Sequence, residues 1–304
     1  MKRLIVVELR RLITRRLLAA LTIVVVAVFA LVGVLVFRAS SDSPEAMASA
    51  RAAFAGDLAH CVSEVNAGTL NDEPIPPAAT ADPVGYCRSN VVEFGDPRFD
   101  FSEFDWMLLG TGMPFVAMAW LLGASAMGAE WNNRTIVTTL TWESRRGRVL
   151  AAKAIAVGLV AGAWIFLLEA LFAGALYPAA EFEGLTAGVD AGWWLDVAGM
   201  GLKISALAAL GAVLGFALAT IGRNTAAALG VGFVYLAMVE GLIRTHKPSW
   251  ADWLIGDNAS MVLIGPEEVV HLGHSQLAAA FVLVGYAAAV LALAVLIFRR
   301  RDLS

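Results

Sequence analysis

The sequence predicts an all-α polytopic membrane protein: six transmembrane helices, an N-terminal interfacial helix and a small loop domain between the first two spans. Three observations predict it. The 304 residues are 59% hydrophobic, with a mean hydropathy of +0.72, and a water-soluble domain of this length does not hide that much apolar surface. Six apolar runs are long enough to cross the roughly 30 Å hydrocarbon layer as helices, the form in which a single segment satisfies its own backbone polar groups. Finally, the charges sort by side. With both termini on one face, that face holds fifteen of the 22 basic residues and only four of the 26 acids, Glu8, Glu130, Glu143 and Asp302. Basic residues collect on the cytoplasmic side, so both termini are assigned to the cytoplasm and the chain to the cell membrane.

Residues 1–16, MKRLIVVELRRLITRR, place Ile5, Leu9, Leu12 and Ile13 on one helical face with Arg3, Arg10 and Arg11 off it. This reads as a helix lying on the cytoplasmic leaflet, its basic side chains reaching anionic lipid headgroups. The apolar run 17–37 exceeds the about 7–15 residues of a signal-peptide core, so it is taken as the first span.

Residues 38–105 form the one sizeable soluble part. Ser43-Pro44-Glu45 reads as a helix start, serine capping and proline in the first turn, and Gly68 as the stop. The stretch from Pro74 to Pro83 returns as a loop towards Cys87. Both cysteines, Cys61 and Cys87, lie here on the oxidising face. That placement suggests a disulfide adding about 2–4 kcal/mol to the order of the segment, against the alternative of two unpaired thiols.

The second span is 106–129, followed by a cytoplasmic loop at 130–153. The third is 154–177, the fourth 193–221 and the fifth 225–243. An outer segment at 244–276 precedes the sixth span, 277–298, and a basic tail at 299–304. Gly158 and Gly162, and Gly211 and Gly215, stand at the small-xxx-small spacing that lets helices approach closely, within one chain or between two. Glu169 and Lys203 bring opposite charges to similar depth on consecutive spans. Ionisable groups at that depth cost about 3 kcal/mol each and so pair or face water. The two line a polar route, form a structural pair, or leave Lys203 at the interface. Glu240 stands four residues before Arg244, the spacing of an intrahelical pair. His271 and His274 have no third ligand nearby and read as solvated rather than metal-binding.

The loop of residues 130–153 is richer than a turn. Glu130 opens it, Ile136, Val137 and Leu140 follow at near-helical spacing, and Arg145, Arg146, Arg148 and Lys153 close it. By itself this could be a topology-fixing basic loop. Its order of residues resembles the loop between spans two and three of ABC-2 type export permeases: an acid, a Gly-Thr, a leucine, a Pro-x-x-Arg and a lysine. Glu130, Thr135, Leu140, Arg145 or Arg146, and Lys153 fill those places, while Arg134 stands where glycine is usual and Trp142-Glu143 replaces the proline. The N-terminal helix, with Glu8, Arg10 and Arg11, resembles that family's elbow helix, and the FRRRDLS ending its short basic tail. The resemblance implies that Glu130, Arg134, Thr135, Leu140, Glu143, Arg145, Arg146 and Lys153 couple to an ATPase. It also implies a cytoplasmic ABC ATPase partner carrying the ATP and Mg, and a second permease half.

What is missing narrows the reading. No G-x-x-x-x-G-K-[ST] occurs, so no phosphate cradle and no bound cofactor are expected on this chain. H-E-x-x-H is missing and the spans contain no histidine, so the parts of an intramembrane protease are missing too. The expectation is therefore a non-enzymatic export subunit moving hydrophobic or amphipathic cargo, with membrane lipids but no nucleic acid as partners. Two rivals remain: an ion-coupled transporter with Glu169 carrying the proton, and a non-transporting subunit driving a signalling or envelope-remodelling partner.

Overall fold

The computed structural model describes residues 1–70, 73–74, 77–92, 94–142, 145–266, 269 and 272–300. In order, α1 (Lys2–Ile13) precedes α2 (Arg16–Ala39), followed by α3 (Pro44–Ala67), α4 (Pro77–Ala81) and α5 (Pro83–Tyr86). Next come α6 (Phe104–Asn132), the short α7 (Thr135–Trp142), α8 (Arg146–Glu183) and α9 (Ala191–Gly222). The helix α10 (Thr225–Val234) passes through a π-helical turn at Tyr235–Val239 into α11 (Glu240–His246), and α12 (Ile255–Ile264) and α13 (Gln276–Arg300) complete the order. A two-residue antiparallel pair, Thr69–Leu70 with Glu73–Pro74, and an isolated parallel bridge between Asp100 and Leu185 make up the strand pairing among the described residues. The protein is all-α and polytopic, with six helices long and apolar enough to cross a membrane.

The helices outrun their apolar stretches. Glu130 belongs to α6 and Lys153 to α8, so the connection between those helices is shorter than residues 130–153. Hydropathy marks where hydrocarbon would end, whereas the backbone hydrogen bonds of a helix continue past that point. Within 244–276 the described residues form a 3-10 turn at Pro248–Trp253 and the helix α12.

The chain divides into two compact units. The smaller comprises Phe29–Ser102 and Ala173–Val189. Its α3 starts and stops where local chemistry requires: Ser43 Oγ accepts the Ala46 N–H at 3.2 Å, Pro44 occupies the first turn, and Gly68 ends the helix in the left-handed region at φ 94°. A disulfide joins Cys61 to Cys87, and with Val65 and Ala79 these cysteines form a small buried cluster. Ser40 is a second tie. Its hydroxyl donates to the Glu183 carbonyl at 2.6 Å and accepts the Phe99 N–H at 2.9 Å, while the Leu185 N–H donates to the Phe99 carbonyl and the Leu185 carbonyl accepts the Phe101 N–H.

The larger unit comprises Met1–Val28, Glu103–Phe172 and Asp190–Ser304. At its centre α6 and α9 run backbone against backbone. A Cβ on Gly123 would lie 1.9 Å from the Ala212 carbonyl oxygen, and one on Gly215 2.5 Å from that of Trp120, so only glycine permits this approach. Gly158 and Gly162 likewise face Val213 and the Ser205 carbonyl on α9. Both spaced glycine pairs are thus used within the chain.

Candidate functional site

The helix α1 is amphipathic, but its inward face differs from the one hydropathy suggests. Glu8 and Leu12 are buried, and Ile13 is exposed. An acid faces inward because a cation meets it there. Lys153, 3% exposed, donates from Nζ to Glu8 Oε1 at 2.8 Å and to Glu130 Oε1 at 2.7 Å. One ammonium therefore joins three helices, α1, α6 and α8. Arg11 Nη1 stands 3.5 Å from Glu8 Oε1 and 3.8 Å from Glu130 Oε1, and Arg15 Nη2 donates to the Ala126 carbonyl at 3.0 Å. These side chains border a polar cavity of about 270 Å³. Buried charges are tolerated when paired and hydrogen-bonded, and removal of one partner strands the other.

Past Asn132 the chain turns through Arg134, whose φ is 54°. A left-handed residue at the end of a helix is ordinarily glycine, which accounts for the glycine usual here in the export permeases the segment resembles. The next helix, α7, buries Ile136 to 1% exposure, so the apolar face expected at Ile136, Val137 and Leu140 is spent at least in part inside the protein. The side chains of Val137 and Leu140, and the whole of Glu143, lie outside the described residues. Arg134 and Arg145 are exposed, and Thr135 and Arg146 half-buried.

Trp131, near the end of α6, receives two further elements. The Arg223 guanidinium sits 5.1 Å from its ring centre, and Phe298 of α13 meets it edge-on at 6.1 Å. Arg223 also adopts φ 54°, in the link between α9 and α10. Nothing in the local sequence marks Trp131, and Arg223 enters the sequence pattern only as one of the basic charges.

Within the spans, Glu169 and Lys203 do not pair. Glu169 is buried and accepts the Ser205 hydroxyl at 3.4 Å, and a Cβ on Gly201 would come within 2.7 Å of its carboxylate. Lys203 is exposed. The reason is helical phase: residues 201 and 205, four apart, share a face of α9, and the residue midway between them points away. Glu240, buried, has the intrahelical partner its spacing suggested, Arg244 at 3.3 Å. It also accepts the Gly256 N–H at 2.9 Å. Arg244 Nε in turn donates to Asp257 of α12 at 3.0 Å, a partner on another element that sequence spacing does not reveal. His274 is not simply solvated: its Nε2 lies 2.9 Å from Asn258 Oδ1. His271 lies outside the described residues. Among the described residues no three His, Cys, Asp or Glu side chains are grouped to hold a metal ion.

Six apolar spans, an amphipathic N-terminal helix joined ionically to the ends of α6 and α8, and a short helix between those ends define a class: all-α polytopic membrane subunits. The family described as ABC-2 family transporter protein matches over residues 4–303, and the chain belongs to it. It is accordingly a multi-pass membrane permease subunit of an ABC transporter, a kind of subunit that is generally non-catalytic and associates with an ABC ATPase. No curated protein matches the chain.

Proposed function

We propose that the chain is the permease of an ATP-driven exporter. It would move a hydrophobic or amphipathic substrate out of the cytoplasm or inner leaflet, with ATP and Mg bound on a separate ATPase subunit and a second permease half completing the path. In this reading both termini and α7 face the cytoplasm of the cell membrane. Closure of the ATPase presses on α7 and α1, and the load passes into α6 and α8 together.

The observation that carries this reading is the Lys153 bridge. An element meant to relay a push must be fastened to the helices it moves. Here a buried ammonium ties α1 to α6 and α8 on either side of α7, at 2.7–2.8 Å. Glu130 and Lys153 then act as fasteners, while the exposed Arg134, Arg145 and the half-buried Arg146 meet the ATPase. Apolar spans with few charges favour amphipathic cargo over ions or sugars.

The test is the complex itself. The chain is purified with the ATPase that accompanies it, reconstituted in lipid nanodiscs, and assayed for nucleotide hydrolysis and export. The double charge reversal R145E/R146E is expected to abolish substrate-stimulated hydrolysis while the ATPase alone keeps its basal rate. Unchanged stimulation removes those two residues from the contact, and transport that persists without any ATPase and collapses with the proton gradient removes the whole reading.

A further inference from the structure

The polar cavity of about 270 Å³ lies wholly within the larger unit, where α1 meets the ends of α6 and α8. Five ionisable side chains line it, the carboxylates Glu8 and Glu130 and the cations Arg11, Arg15 and Lys153. Three cations against two carboxylates leave one positive charge over. Lys153 holds the Oε1 atoms of both acids, and Arg11 stands close to the same two atoms. The second Glu130 oxygen, Oε2, is buried and meets no hydrogen-bond donor. Arg15 is placed differently: its Nη2 donates to the neutral Ala126 carbonyl, and among the described residues no carboxylate stands at ion-pair distance from it. Burial lowers the pKa of this guanidinium, Glu130 offsets that in part, and the neighbouring Arg11 adds to it. Two like charges thus border one cavity, and an anion between them would relieve both their repulsion and the lost hydration.

The position of the cavity limits which anions reach it. Arg15 immediately precedes α2, while Glu130 and Lys153 stand near the ends of α6 and α8, and all three helices are apolar enough to cross a membrane. The ends of spans lie at the level of lipid headgroups. Val6, Val7 and Ile13 give α1 an exposed apolar face, of the sort that sinks to the boundary between headgroups and acyl chains. Arg11 and Thr14 are exposed, so the cavity has an open mouth. It is smaller than the about 300–1,000 Å³ of pockets that enclose a whole ligand, and suits a headgroup rather than an entire amphiphile.

We propose that this cavity binds a phosphate ester through its oxyanion, held between the guanidinium groups of Arg15 and Arg11. A phosphodiester carries one negative charge, which matches the one positive charge left over, and a guanidinium presents paired N–H groups to two phosphate oxygens. Anionic phospholipid and soluble phosphate share this chemistry. Seated there, the oxyanion joins the α1–α2 corner to α6 through Arg15 and the Ala126 carbonyl. The inference does not depend on the permease reading.

The test uses the full chain, purified in a neutral maltoside detergent and followed by native mass spectrometry as lipid or phosphate is titrated in. Phosphatidylglycerol is expected to be retained as one preferred copy, about tenfold more tightly than phosphatidylcholine, whose choline adds a positive charge. R15Q, and R11Q on an exposed side chain, are each expected to weaken that copy about tenfold, with R15K keeping part of the affinity. R16Q, on an exposed side chain that does not line the cavity, is expected to change nothing. Equal retention of the two lipids by the unaltered chain overturns the proposal. A loss in R16Q as large as in R15Q also overturns it, since attraction would then be spread over the basic surface. Displacement of the lipid by inorganic phosphate upholds the site and makes soluble phosphate its ligand, whereas retention of the lipid against inorganic phosphate upholds it as a phospholipid site.

Discussion

The Lys153 bridge can be tested by removing its one cation. In the substitution Lys153→Met the side chain keeps most of its apolar stem but loses its terminal ammonium, and Glu8 and Glu130, with side chains 11% and 9% exposed, are left facing each other. Breaking a buried ion pair by deleting one partner costs about 3–5 kcal/mol. Arg11 offsets part of this, but it lies at 3.5 and 3.8 Å with its side chain 46% exposed, and a solvated pair returns at most about 1 kcal/mol. The net loss is therefore about 2–4 kcal/mol, which at about 2–4 °C per kcal/mol lowers the melting midpoint by roughly 5–15 °C. The assay is tryptophan-fluorescence melting of the purified chain in detergent at one fixed scan rate, since membrane proteins commonly unfold irreversibly. Hydrogen exchange over residues 2–13, followed in parallel, should rise if α1 comes loose. The triple variant E8Q/E130Q/K153M, which removes the stranded charges, should recover most of the midpoint. A shift below about 1 °C with unchanged protection of α1 would refute the bridge as a fastener.

Other substitutions test the frame around the bridge. Reducing the Cys61–Cys87 disulfide or replacing both cysteines by alanine should cost the outer segment about 2–4 kcal/mol, read as faster limited proteolysis within residues 40–100, with the spans little affected. Gly123→Leu places a side chain where a Cβ already falls 1.9 Å from the Ala212 carbonyl, and should yield no monodisperse protein, whereas the same change at Gly110, where a Cβ meets nothing within 4 Å, should be tolerated. The Arg98 side chain beside Asp96 holds that carboxyl down to about 2. A depressed folded value means this local tie is intact above the ordinary carboxylate range and is lost as pH falls towards 2; R98A should move the Asp96 titration, followed by carboxyl NMR, up towards the ordinary range, the backbone N–H of residue 98 still donating to Asp96 Oδ1.

Much of this protein was local, and the sequence alone determined it. Six apolar runs specify six spans because a helix in hydrocarbon must satisfy its backbone by itself. Ser43, Pro44 and Gly68 set the ends of α3 because caps act within one turn. The chain has two cysteines, and they pair with each other. The order of residues from Glu130 to Lys153 pointed to the family the chain belongs to. It did not reveal that Glu130 and Lys153 bond each other inside the protein, because an acid and a lysine read alike whether they face a partner or the interior. What tertiary structure decided is which faces meet. Glu8 reaching Lys153, Arg244 reaching Asp257, Arg223 resting on Trp131 and the cavity beside Arg15 all join elements far apart in the chain, and no spacing rule within a helix encodes them. Helical phase decides whether a charge at membrane depth turns inward, as Glu169 does, or outward, as Lys203 does, and that phase gains meaning only once the neighbouring helix is in place.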